Sequence, residues 1–320
     1  MRVSRIAAVG AVVAVLSFAS AAAADTVGPI DFEGYAPGPV IGQDNPPWTG
    51  APCAAIDSGV VLNSLNTNAP SSFETKSFRM SNAVVAGCFN DAFTPEATNE
   101  AGESTAQDSP QSGGTRQPYY ETQFTFASFT GALQPGLNVQ VSPDRGDGAR
   151  MSFVRMVHTA TDLQLEFVDV QGVDPPSTTT PCLGCANFVS TPLGTFDPTV
   201  PHTVRLTMQL VDGPSNDIVQ VFVDGALVHT GGSWEDYYTL DTESSPTPPD
   251  QVSRTVDSLL IRASGTAQAN TLGAGFLFDG VSVTTGPVPV GASGPGTSAG
   301  TTPVGAGPAG AVTAVPRFTG

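Results

Sequence analysis

Apolar and polar residues alternate with a period of two along most of this chain. In HTVRLTMQL, Val204, Leu206, Met208 and Leu210 alternate with Arg205, Thr207 and Gln209. Side chains two apart on a strand share a face, so the pattern predicts one greasy side and one wet side. YYETQFTFASF repeats it, with Tyr120, Phe124 and Phe126 set against Glu121, Gln123 and Thr125. ARMSFVRMV, DLQLEFVDV, SLLIRA and GFLFDGVSV read as further short strands, separated by turns such as PDRGDG and DGPSND. No long amphipathic helix follows residue 25, and 35 Gly and 28 Pro interrupt the chain throughout. About a dozen short strands without a crossover helix predict an all-β sandwich of antiparallel strands, formed as one domain. Many of the 17 phenylalanines fall at inward positions and supply its core.

Two regions break the pattern. Residues 97–118 are polar and read as a long surface loop able to border a binding face. Residues 286–320 are rich in Gly, Pro, Ala and Thr and read as a disordered tail. At the other end, residues 1–24 carry Arg2 and Arg5, an apolar stretch and an alanine run. This is the pattern of a secretory signal cleaved before Asp25. The domain is therefore expected over residues 25–285, in a secreted, extracellular protein. No later segment has the roughly 20 apolar residues of a membrane span.

Export changes the reading of the four cysteines. In an oxidising compartment disulfides are the default, and proximity favours Cys53–Cys88 and Cys182–Cys185 among the three pairings open to four cysteines. CLGC lacks the second ligand pair a zinc site needs, and it lies in a loop rather than opening a redox helix. The formal net charge of −17 includes a single lysine, Lys76. Such acidity disfavours nucleic acid as a partner and suits divalent cations.

DIVQVFVDGALVHT predicts a hairpin turning at Asp224-Gly225, with Val219, Val221 and Val223 on one face and Leu227 continuing that face on the return strand. PHTVRLTMQLVDGPSNDIVQVFVDGALVHTG resembles the central part of concanavalin A-like lectin/glucanase sandwiches, especially the laminin-G-like branch. IDFEGYAPGPVIGQ and GFLFDGVSV resemble their first and last strands, which often lie side by side. The resemblance implies a concanavalin A-like jelly-roll β-sandwich. That architecture hosts lectins, adhesive modules, glycan hydrolases and lyases, so fold alone does not choose among them.

Three kinds of site are open. For a sugar, Trp234, Asp236, Tyr237 and Tyr238 in GGSWEDYY combine stacking rings with carboxylate acceptors. For Ca²⁺, Asp212, Asn216 and Asp217 offer hard oxygens on one turn, and Asp144 and Asp147 on another; the same residues also suit turns in their own right. For catalysis, the paired E-x-D-x-x-E carboxylates of glucanases are missing. Glu166 and Asp169 are oddly spaced, and adjacent Glu235 and Asp236 diverge if extended. The leading expectation is a lectin-like module that binds an extracellular glycan or cell-surface polymer without catalysis and requires no cofactor, Ca²⁺ being the one candidate. The alternatives are an adhesive or structural surface module without sugar specificity, and a glycan hydrolase or lyase with non-standard carboxylates.

Overall fold

The computed structural model describes residues 23–51, 58–84, 89–104, 106, 114–149, 151–172, 186–240, 254–263 and 266–289. The expected signal (but for residues 23 and 24), all four cysteines and most of the C-terminal tail lie outside the described residues. The described strands, in chain order, are β1 (Asp25–Ile30), β2 (Thr49–Ala51), β3 (Ser58–Leu62), β4 (Lys76–Met80) and β5 (Asn90–Phe93). Then come β6 (Tyr119–Ser128), β7 (Asn138–Asp144), β8 (Phe153–His158), β9 (Leu163–Gly172) and β10 (Ala186–Phe196). The last are β11 (His202–Gln209), β12 (Ile218–Val223), β13 (Ala226–Gly231), β14 (Ser258–Ala263) and β15 (Phe276–Gly286), with one short helix, α1 (Glu235–Leu240), between β13 and β14.

These strands form two sheets. One runs β13-β12-β11-β6-β15-β4-β3, with β1 also on β15; the other runs β10-β9-β8-β7-β14-β5-β2. The strand pairings are antiparallel, as the alternation of apolar and polar residues requires of sheets wetted on one side. The all-β antiparallel sandwich expected from the sequence is the fold observed. The first and last strands lie side by side, Asp25 opposite Thr285 and Val27 opposite Val283.

The core is the set of inward positions read from the alternation. Val204, Leu206 and Met208 pack from β11, and Tyr120, Phe124 and Phe126 from β6. They face Val139 and Val141 of β7, Met156 of β8, Leu165 and Phe167 of β9, and Leu259 and Ile261 of β14. A chain of ring contacts links Trp48, Phe78, Phe278 and Phe124, each centroid 5.7–6.2 Å from the next. Burial of each such ring contributes about 1.5–3 kcal/mol.

The hairpin turns where expected. Asp224 and Gly225 both adopt positive φ (51° and 81°), the left-handed pair of a tight two-residue turn. Leu227 departs from expectation. A register shift after the Val221–His229 pair sets Leu227 opposite Phe222, on the outer face, where it is 51% exposed. One extra residue on the return strand flips the side chain, since strand side chains alternate.

Candidate functional site

The outer face of the second sheet carries a straight polar row. Glu166 on β9 lies opposite Arg155 on β8, Arg155 opposite Gln140 on β7, Gln140 opposite Arg262 on β14, and Arg262 opposite Asp91 on β5. Cross-strand partners share a face, so the register alone aligns Glu-Arg-Gln-Arg-Asp across five strands. The two arginines are held at the outside. Arg155 donates from Nε (3.0 Å) and Nη2 to Glu166 Oε2, and from Nη2 to Ser190 Oγ at 3.2 Å. Arg262 makes a two-point pair with Asp91, Nε to Oδ1 at 2.6 Å and Nη2 to Oδ2 at 2.8 Å, and donates to the Gly148 carbonyl at 3.1 Å. Such forked pairs fix the guanidinium plane. Gly148 has φ of +69°, and a Cβ there would stand 2.5 Å from Arg262 Nη2, so only glycine allows this approach.

Above the row lies a depression of about 280 Å³ lined by Gln140, Ser142, Arg155 and Arg262 together with Phe89, Met151, Phe153 and Phe188. Phe89 and Phe188 are 56% and 50% exposed. They enter from opposite sides, Phe188 from edge strand β10 and Phe89 from the residue before β5. Arg262 also lies over the Phe89 ring, 4.5 Å from its centroid. A larger hollow, about 780 Å³, lies at Gly102, Pro118, Leu210, Val211 and Val288. Two of its polar members are already engaged: Asp212 accepts from Ser104, and Arg116 pairs with Glu100.

GGSWEDYY takes a different place from the one expected. Trp234 and Tyr237 are fully buried and Tyr238 is 1% exposed, so none offers a ring face to a sugar. The segment opens helix α1 rather than running extended, and the helical turn carries Trp234 and both tyrosines inward. Asp236 is in α1, and its side chain lies outside the described atoms. These rings are structural plugs, the competing use of aromatic residues in such a loop.

The calcium candidates are also separated. Asp212 binds the Ser104 N–H and hydroxyl at 2.6 and 2.7 Å, and Asn216 Nδ2 donates to the Asp212 carbonyl at 2.9 Å. Asp217 instead joins Glu103 and Glu235 in a buried group whose ligand oxygens all lie within 4.8 Å of one another. Asp217 accepts from Val211 N–H (2.8 Å) and the Ser233 hydroxyl (2.5 Å); Glu235 accepts from Ser215 N–H (2.8 Å) and Asn216 N–H (3.2 Å). Burial, then the charges of Glu235 and Glu103, push the Asp217 carboxyl up to about 7. A proton shared in this group, or a hard cation of the Ca²⁺ type, balances its charge. Glu103 comes from the polar 97–118 segment, which read as surface loop, yet it is buried; no sequence motif links it to Asp217.

In PDRGDG, Asp144 Oδ1 accepts the N–H groups of Arg145, Gly146, Asp147 and Gly148 at 2.8–3.2 Å. Asp147 is held between Arg145 and Arg254. The acids of this turn therefore build the loop that carries Gly148 to Arg262. Glu166, weighed as a catalytic carboxylate, is the ion-pair partner of Arg155, while Asp169 accepts from Ser152 and Gln171.

The fold is an all-β sandwich of two antiparallel sheets, with an arginine-lined depression on one outer face. Among solved structures it is similar to an alginate lyase mutant in complex with alginate tetrasaccharide (11% identity, 83% of this chain and 98% of that one, TM-score 0.42). It is also similar to a carbohydrate esterase from Shiga toxin-encoding bacteriophage phi24B (14%, 75% and 90%, 0.36) and to sheep galectin-11 (14%, 52% and 89%, 0.25). No family model and no curated protein matches the sequence. Likeness at this level does not carry an activity from those proteins to this chain.

Proposed function

We propose that this is a secreted lectin-like module that binds extracellular carbohydrate at the outer-face depression without cleaving it. The observation that carries the reading is the Arg155-Gln140-Arg262 row lying between two half-exposed phenylalanines. Ring faces pack against the apolar face of a sugar, while guanidinium, amide and hydroxyl groups bond its oxygens. Ligand sites pair such apolar walls with a few fixed polar groups, and 280 Å³ falls just under the usual range of roughly 300–1,000 Å³. That size suits a short stretch of glycan.

The chemistry of the lining favours binding over turnover. Among the described residues lining the depression there is no Asp, Glu, His or Tyr. Guanidinium, amide and hydroxyl groups do not serve as a general base near neutral pH without an activating partner. Glu166 and Asp91, the nearest acids along the row, are held in ion pairs.

A glycan array probed with the full chain tests the proposal, alongside Phe89→Ala/Phe188→Ala. Binding lost in the double variant supports the site. No bound glycan favours an adhesive module, and release of reducing or unsaturated ends from a bound glycan would replace binding by catalysis.

A further inference from the structure

We infer that the depression selects acidic sugars, with uronic acid carboxylates seated on the Nη1 groups of Arg155 and Arg262. The inference rests on the binding reading and names the class of glycan that the site takes.

Three observations converge. First, both charged residues lining the depression are cationic, in a chain of formal net charge −17. A neutral sugar does not require paired cations on the floor. Second, neither guanidinium is used up by its acidic partner. Arg155 spends Nε and Nη2 on Glu166 and Ser190, and Arg262 spends Nε and Nη2 on Asp91 and Gly148. Nη1 of each has no partner among the described residues; the Arg155 side chain is 30% exposed and that of Arg262, the deeper of the two, 11%. Third, the flanking acids fix both forks, each toward its own end of the row. Glu166 and Asp91 stand at the two outer ends of the row and grip the guanidiniums there, with Gln140 on the strand between the two cations.

The spacing suits a polymer. Neighbouring strands lie about 4.8 Å apart, so two strand steps put the backbones of Arg155 and Arg262 roughly 10 Å apart. Glu166 and Asp91 draw the two guanidiniums toward opposite ends of the row, so a polymer meets them with carboxylates of different sugar residues. Phe89 and Phe188 then pack on the sugars at either side. A carboxylate accepts charge-assisted bonds from guanidinium, about twice as strong as those between neutral groups. At physiological salt the screening length is about 8 Å, so remote surface acids weigh little against two cations at the ligand.

Isothermal titration of the full chain against short uronic oligosaccharides of galacto, gluco and manno configuration tests this, each beside its carboxyl-reduced, neutral counterpart. The expected result is binding of at least one acidic oligosaccharide about tenfold or more tighter than its reduced form. In Arg155→Gln/Glu166→Gln, which removes the cation with its partner and leaves no orphan charge, the preference should shrink severalfold. Should that variant fail to fold, the comparison on the unaltered chain decides alone. Equal or tighter binding of the reduced forms overturns the acidic-sugar inference and leaves carbohydrate binding standing. Binding of no acidic oligosaccharide, with a neutral glycan bound on the array, does the same. Binding of no glycan at all overturns both.

Discussion

Arg155 and Arg262 lie more than a hundred residues apart in the chain, yet only Gln140 separates them on the sheet. Each is locked to an acid on its far side, so the pair is preorganised and a ligand need not order two long side chains. This lowers the entropic cost of binding, which for such side chains is about 0.5–1.5 kcal/mol each.

The exposed rings should matter for binding and little for stability. Phe89→Ala and Phe188→Ala each remove a ring that is at least half exposed, and surface changes of this kind stay within about 0.5 kcal/mol of stability. Loss of a stacking contact of about 1 kcal/mol weakens a bound glycan roughly fivefold. Thermal melts set beside titrations of each variant check both halves of the expectation.

Trp234 should behave in the opposite way. Its side chain is fully buried, so Trp234→Ala should destabilise by about 3–5 kcal/mol through the cavity it leaves. Trp234→Phe keeps most of the volume and should melt closer to the parent while binding glycan unchanged. Chemical denaturation together with titration of the Phe variant separates a plug from a ligand contact. Glycan binding abolished in a folded Trp234→Phe protein would return this residue to the site.

Stability should fall as pH rises from about 5 to 8. Burial first, then neighbouring acids, push Asp217 up to about 7 and Asp257 up to about 8. Both folded values exceed the unfolded one of about 3.9, so the folded state holds extra protons. The stability they contribute is complete below the unfolded value and is lost as pH climbs through the folded one. Melting temperature should drop by several degrees across that window, on the order of 5–10 °C. Asp217→Asn and Asp257→Asn should each flatten the slope. A slope unchanged by millimolar calcium means that protons balance the Glu103-Asp217-Glu235 group; a melting temperature raised by calcium at pH 8 means that a cation does.

Thiol titration of the exported, denatured and unreduced protein should find no free cysteine among the four. Peptide mapping without reduction should link Cys53 to Cys88 and Cys182 to Cys185. Cys88 immediately precedes Phe89, and Cys185 stands three residues before Phe188. Reduction is therefore expected to weaken glycan binding more than it lowers the content of strand, as read by circular dichroism.

The alternation in HTVRLTMQL and YYETQFTFASF was enough to name the core residues, because period two leaves only the choice of face open. Turn chemistry was equally legible at Asp224-Gly225. What the sequence hides is register. Arg155, Gln140 and Arg262 sit in three ordinary strands, and no spacing along the chain reveals that pairing sets them abreast. The same holds for Leu227, which one unpaired residue carries to the opposite face. Trp234 misleads for another reason: Gly, Ser, Glu and Asp around it look wet, but a single helical turn rotates the rings inward while the polar groups satisfy neighbouring backbone. Glu103 shows the reverse, a polar loop whose acid is drawn inside by the N–H of Gly213.

The seam between β1 and β15 has a temporal side. Asp25 opens the described sandwich and lies opposite Thr285 near its close, so the layer they share stays incomplete until almost the entire polypeptide has been delivered. Contacts so remote along the chain form late and slowly. The shared layer therefore closes last, its opening strand waiting uncommitted for the neighbour that completes it.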